Sequence, residues 1–330
     1  MSNSELIFKK KVIILMATYN GEKYIREQIN SILMQSFTNW ELLIRDDKSS
    51  DDTMRILEEY EKNEARVKIL RDNLGNVRQC ANFDLLMQHC LAEDAYFMFA
   101  DQDDIWNPNK IELSIKKIID VEKSSNYKTP ILIYTNYVIT DSNLLGSRVA
   151  YRSTLHYSKY ELACRLLVQN WVMGCTVIIN KSLLELSINI PSEAENHDNW
   201  MAIIASLAGK IAFLNETTMK HRIHSNNVTT QTHTTGFKAR ILRVYNRFKT
   251  NDRAFEKRTR LLNHIKNRVI RFVDQEGLEI VKNYSDTLQT RGFKALSIAY
   301  KSKFFGVNKI QTMLFFMQLY FKKSATGVKK

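Results

Sequence analysis

Residues 96–108, YFMFADQDDIWNP, decide how the rest of the chain is read. Tyr96 to Ala100 is an apolar run short enough for a buried strand, and it leads without a spacer into Asp101, Gln102, Asp103 and Asp104. Three carboxylates within four positions repel one another, so the arrangement is costly unless a cation or strong donors compensate. Hard oxygen ligands suit Mg2+ or Mn2+ bridging a diphosphate. The bland alternative, acids capping a helix N-terminus, competes at Asp104 more than at Asp101 and Asp103, which close a strand.

Outward from this stretch, strand and helix patterns alternate. Val12 to Ala17 reads as a buried strand, and Gly21 to Gln35 as a helix with Ile25, Ile29, Ile32 and Leu33 on one face. Trp40 to Ile44, Val67 to Leu70 and Ile131 to Thr135 read as further strands; Asp51 to Lys62, Asn76 to Cys90 and the segment from Pro108 to Val121 read as helices. A helix at Lys159 to Val168, a strand at Cys175 to Ile179, a helix at Asp198 to Ala208 and a strand at Ile211 to Leu214 complete the pattern. This alternation implies an α/β fold, a Rossmann-like mixed sheet flanked by helices, with ligands beyond the carboxyl ends of the strands. The unit is expected to occupy residues 1–235, with residues 236–330 as a helical extension.

Two other strand ends point to the same rim. In LLIRDDKSSDDT, residues 42–53, an apolar strand closes on Asp46 and Asp47 before a turn, and a carboxylate there could accept a hydrogen bond from a pyrimidine N–H. Asp51 and Asp52 read as plain helix caps. The opening ATYNG, residues 17–21, supplies the third side.

Together ATYNGEKYIREQINSILMQSF, LLIRDDKSSDDT and FADQDDIWNP resemble the family 2 inverting glycosyltransferases with the GT-A nucleotide-sugar fold, and most of all their bacterial rhamnosyltransferase-type members. The resemblance covers about residues 10–235, and the spacing between the three motifs fits as well. Lys48 stands where the family commonly has Gly, so the turn there is expected to differ. By resemblance, Thr18, Tyr19 and Asn20 lie near the nucleobase, Asp47 reads it, and Arg78 approaches the nucleotide, with Arg71 as its rival. Asp101 faces the ribose and Asp103 the metal, with Gln102 between them on the nucleotide sugar.

Inversion needs a carboxylate to take the acceptor's proton. The segment Glu195-Asn196-His197-Asp198-Asn199-Trp200 resembles the family's acidic motif, which makes Asp198 the candidate base against a helix N-cap reading; Glu195 and Glu193 are the substitutes. MKHRIHSNNVT, residues 219–229, resembles the closing motif, in which His224 would reach the metal or the diphosphate. Trp171, Gly174 and Trp200 are the acceptor-side candidates. The resemblance implies a metal-dependent transferase using Mg2+ or Mn2+. Its donor would be dTDP-rhamnose, with a UDP-sugar as the other option, and its acceptor a lipid-linked saccharide for a cell-surface polysaccharide.

Charge is distributed unevenly. Residues 236–330 hold 22 Lys+Arg against 6 Asp+Glu, while the remainder holds 26 against 29. The basic tail reads as solvated charge over packing stripes (Phe237, Ile241, Val244, Tyr245, Phe248; then Leu262, Ile265, Val269, Phe272) or as a face for an anionic membrane surface. A second copy of the chain is a further expected partner. Nucleic acid is the reading from another class, but the acidic rim repels phosphate and the aromatic residues are not interleaved with the basic ones. A dinucleotide oxidoreductase is disfavoured because the first strand exits into Thr18-Tyr19-Asn20 and not into a glycine fingerprint. Four cysteines are too few for a disulfide scaffold, and the apolar run Met313 to Phe321 is too short to span a bilayer. The expected location is cytoplasmic, peripheral to the inner face of the cell membrane. A chain ended near Thr235 should stay soluble if the tail is not part of the core.

Overall fold

The computed structural model describes residues 10–126, 128–146, 148–151, 157–224 and 251–322. Its centre is β1 (Val12–Thr18), an unbroken apolar strand buried on both faces, as a central parallel strand must be. β1 pairs in parallel with β2 (Trp40–Asp46) on one side and β4 (Tyr96–Ala100) on the other, and β3 (Val67–Ile69) extends the sheet beyond β2. The register sets Thr18 opposite Asp46 and Met16 opposite Ala100. The three strand ends therefore open onto one rim.

Beyond β4 the sheet becomes mixed. β8 (Val177–Ile179) runs antiparallel to β4 and to β6 (Ile131–Thr140), β9 (Lys210–Arg222) runs parallel to β6, and the two-residue β5 (Ile105–Trp106) closes the edge against β9. β7 (Arg148–Val149) pairs with β6 off this path. α1 (Ile25–Leu33), α2 (Thr53–Asn63), α3 (Arg78–His89), α4 (Lys110–Lys123), α5 (Lys159–Val168), α6 (Lys181–Ser187) and α7 (His197–Ala208) cover the faces. Alternate β1 side chains serve opposite cores: Ile13 and Leu15 meet the side of α3, α5 and α7, whereas Val12, Ile14 and Met16 meet that of α1 and α4.

The tail forms α8 (Asn251–Val269), α9 (Gln275–Gln289), α10 (Gly292–Lys301) and α11 (Lys309–Phe321). Leu262, Ile265 and Val269 of α8, Tyr284 of α9, Ala299 of α10 and Leu319 of α11 join the apolar cluster that holds Leu167 and Trp200. Polar ties reinforce the contact, among them Tyr284 Oη to Leu167 O at 2.6 Å and Arg165 Nη1 to Gly306 O at 3.0 Å.

Several readings of the sequence are corrected. The first helix begins at Ile25 and not at Gly21; the residues before it form a turn in which Gly21 O accepts from both Tyr24 N and Ile25 N. β9 continues eight residues past Leu214, through Asn215, Glu216 and Thr217, whose polarity hid it; β6 accommodates it with register shifts on both sides of Asn136. α6, capped by the Asn180 side chain accepting from Leu183 N, was not read, nor were β5 and β7. Phe272 lies past the end of α8 and is exposed, outside the stripe expected for it. The stripe at 237–248 and the boundary at 235 fall outside the described residues.

Candidate active site

Tyr19 emerges from the end of β1 with its ring half exposed, while its backbone is gripped from across the rim. Its N–H donates to Gln102 Oε1 at 2.8 Å and its carbonyl accepts from Gln102 Nε2 at 2.9 Å. A Cβ on Gly21 would come within 2.5 Å of that Gln102 amide, so glycine is what lets the loop close on it. Thr18 is buried, its Oγ1 donating to Asp46 Oδ1 at 2.8 Å, so its hydroxyl ties two strands together. Asn20 likewise braces the next loop, accepting from Ser50 N at 2.8 Å. Asp51 accepts from Thr53 N at 3.1 Å, whereas Asp52 makes no side-chain cap and pairs with Arg55.

Asp47 is buried, and both its oxygens are engaged. Oδ1 accepts from Arg45 Nη1 at 3.0 Å and Val77 N at 2.8 Å, and Oδ2 accepts from Arg78 N at 2.8 Å. This carboxylate thus orders the loop that delivers Arg78, a residue held at φ 69°. Arg45, a buried cation shared between Asp47 and Asp72, is the counter-charge that motif reading passed over. Arg71 points elsewhere, paired with Glu61 at 2.7 Å. Lys48 adopts φ 62°, a left-handed turn that glycine enters more cheaply.

The acidic cluster divides by environment. Asp101 accepts from Gln79 Nε2 at 3.0 Å, and its carboxyl is pushed up to about 7 by burial first and then by the charges of Asp104 and Asp103. Asp103 meets His224, Oδ2 to Nε2, at 2.7 Å. Asp104 is fully buried and caps no helix: its Oδ1 lies 2.9 Å from His221 Nδ1. Burial works against the His221 imidazolium, but the charge and hydrogen bond of Asp104 outweigh it and raise that group to about 9. Arg222 fastens the two segments together, donating from Nε to Asp103 O at 3.0 Å, from Nη1 to Ser142 O at 2.7 Å and from Nη2 to Glu27 at 2.5 Å. A crowded set of acids with one member driven toward neutrality, beside a histidine nitrogen, fits a divalent cation that would relieve the repulsion.

Asp198 stands in the first turn of α7, after the N-cap Asn196, so the N-cap reading does not hold. It is buried and receives Asn170 Nδ2 at 3.0 Å, Asn199 N at 2.6 Å and Gly174 N at 2.9 Å. Burial raises its carboxyl to about 7, and its own charge is felt at Asp101. A Cβ on Gly174 would meet His197 Nε2 at 2.6 Å, which explains that glycine by packing against the buried imidazole. Trp200 is corrected: only 1% exposed, with its indole N–H on Ser187 O, it belongs to the core and cannot line an acceptor site. Trp171 remains partly exposed beside Tyr134. Glu193 is taken by Arg260 at 3.0 Å, while Glu195 is exposed. Asn170, which no local pattern announces, is, with Arg45, a residue that sequence reasoning missed.

Comparison with known proteins gives the following. Residues 13–165 match the family described as Glycosyl transferase family 2. The UDP-Glc:alpha-D-GlcNAc-diphosphoundecaprenol beta-1,3-glucosyltransferase WfgD of Escherichia coli is 30% identical over 195 residues, which cover 58% of this chain and 69% of that relative. The dTDP-rhamnosyl transferase RfbG of Shigella flexneri is 29% identical over 222 residues, covering 64% and 72%. The crystal structure of GalNAc-T7 with UDP, GalNAc and Mn2+ superposes with a TM-score of 0.52 at 12% identity, covering 86% of this chain and 61% of that one, a likeness of fold.

Proposed function

This chain belongs to glycosyl transferase family 2 and is a glycosyltransferase of GT-A fold, and from that premise we propose that it transfers a sugar, with inversion, from a pyrimidine nucleotide diphospho-sugar to a lipid-linked saccharide. What supports this reading is the shared rim at the ends of β1, β2 and β4, which carries Tyr19 and Asp101, together with the Asp103–His224 pair and the buried Asp198, whose charge is felt at Asp101. Tyr19 offers a ring face to the base, and Arg78 a cation to the phosphates. Asp103 and His224 would hold Mg2+ or Mn2+, with Asp101 toward the ribose, and the cation when bound would offset the charge that develops on the leaving diphosphate. Asp198 takes the proton from the acceptor hydroxyl; a buried carboxyl raised to about 7 is matched to that task near neutrality.

The names of two relatives bracket the donor. RfbG is a dTDP-rhamnosyl transferase and WfgD uses UDP-Glc, so dTDP-rhamnose is the first donor to test and UDP-glucose its competitor. WfgD's diphosphoundecaprenol substrate supports a lipid-linked acceptor and a role in cell-surface polysaccharide synthesis, carried out at the cytoplasmic face of the membrane. Among the described residues no helix is long and apolar enough to cross one.

The test is slow donor hydrolysis. Purified full-length protein is incubated with dTDP-rhamnose or UDP-glucose and Mn2+, and nucleoside diphosphate release is followed. Release should require the cation, stop with chelator, and fall about 100-fold or more in Asp103→Asn with the melting temperature kept. Undiminished release in chelator would make the cluster structural.

A further inference from the structure

Between Arg291 and Lys322 the chain carries six Lys and Arg and no Asp or Glu, and five of those cations are exposed. The same two helices, α10 and α11, each have two apolar faces. One is spent on the core, with Ala295, Ala299, Phe315 and Leu319 fully buried. The other faces outward: Phe293, Tyr300, Ile310, Met313 and Phe321 are between 55% and 77% exposed. Phe293 and Tyr320 meet edge to face at 5.2 Å, and Tyr320 and Phe321 at 5.1 Å, so these rings form a cluster, unlike the scattered single apolar residues normal on a surface. Between the helices lies an open cavity of about 840 Å³ walled by Leu296, Met313, Phe316 and Met317.

We infer that the outward face of α10 and α11 docks in the plane of an anionic lipid bilayer, its aromatic and aliphatic side chains entering the interface inside a rim of lysines. Charge selects this occupant over a second copy of the chain, because a two-fold contact through this face would set its cations against each other without an acid to answer them. Phosphate head groups supply the missing anions, and the apolar side chains supply the contact that salt does not screen. A 13-residue helix is about 20 Å long, which suits lying in the interface and not crossing it. The position also serves the reaction. Tyr157 lines the same cavity with its ring 6.3 Å from that of Trp171, and the neighbouring Asn170 holds Asp198, so the docked face adjoins the acceptor side of the site. The inference deepens the proposed lipid-linked acceptor and takes its purpose from that reading, but its test is separate.

Full-length protein is sedimented with vesicles of phosphatidylglycerol and phosphatidylethanolamine, and with phosphatidylcholine alone. Binding to the anionic vesicles should be strong at low salt and only partly released at about 1 M salt, where charges are screened beyond about 3 Å. A variant carrying Phe293→Ser, Tyr300→Ser, Ile310→Ser and Phe321→Ser should lose about tenfold or more in partition at every salt concentration while keeping its melting temperature, since all four side chains are outside the core. Lys294→Gln, Lys301→Gln, Lys303→Gln and Lys309→Gln combined should abolish the preference for anionic lipid. Indifference of the native chain to anionic vesicles, or native-like binding by the aromatic variant, would overturn the inference; so would a native dimer that the aromatic variant renders monomeric. Donor hydrolysis is measured alongside: its absence with vesicle binding intact would count against the transferase chemistry alone.

Discussion

Asp198 shows how one buried carboxylate sets opposite trends in activity and stability. A general base works only when ionised, so transfer should fall as pH drops through about 7, approaching tenfold per unit below it. The stability contribution has the other sign. The folded chain holds this proton more tightly than the unfolded chain, whose aspartate titrates near 4, so the contribution is present below about 4 and is lost as pH rises through about 7. Rate profiles and melting temperatures across pH 5 to about 8.5 should therefore diverge for this group. Asp198→Asn should cut transfer by about 100-fold or more while sparing donor binding. If that variant turned over at the native rate, the exposed Glu195 would be the base to examine.

β9 does at the scale of an element what no single motif can. By running on to Arg222 it carries His221, Arg222 and His224 across the acidic cluster, with His221 on Asp104 and His224 on Asp103. Arg222 is the fastener, buried and bonded to two carbonyls and Glu27, with its guanidinium 4.5 Å from the Tyr24 ring. Arg222→Met leaves buried carbonyls without that donor and should cost about 3 kcal/mol in urea denaturation. It should also weaken Mn2+ binding by about tenfold in titration, because the Asp103 segment loses its tether. Unchanged metal affinity in a destabilised variant would confine Arg222 to holding the sheet edge.

In the whole molecule, thirteen buried apolar residues between Asn251 and Phe321 belong to the same cluster as Leu167 and Trp200. The tail therefore covers apolar side chains of α5 and α7, and returning that surface to water costs about 25 cal/mol per Å². The condition under which a chain ended near Thr235 would remain soluble is thus not met. Such a truncation should expose Leu166, Leu167 and Val168 and aggregate, as light scattering would show, and dye binding to exposed apolar surface should rise. A monomeric, cooperatively melting fragment would show the tail to be a separable unit.

The sequence by itself determined the strands that are apolar from end to end and the carboxylates at their exits. Tyr96–Ala100 and Lys159–Val168 were legible to the residue, because burial on both faces or along one helical stripe leaves an unbroken pattern. Thr18, Asp47 and Trp200 carried the right residue types, but which way each side chain faces depends on partners 13 to 31 positions away. Only the tertiary structure decided that Asp104 is a buried partner of His221, that Asn170 orients Asp198, and that the tail completes the core. Those outcomes rest on contacts between distant segments, and local periodicity carries no record of what a side chain will meet.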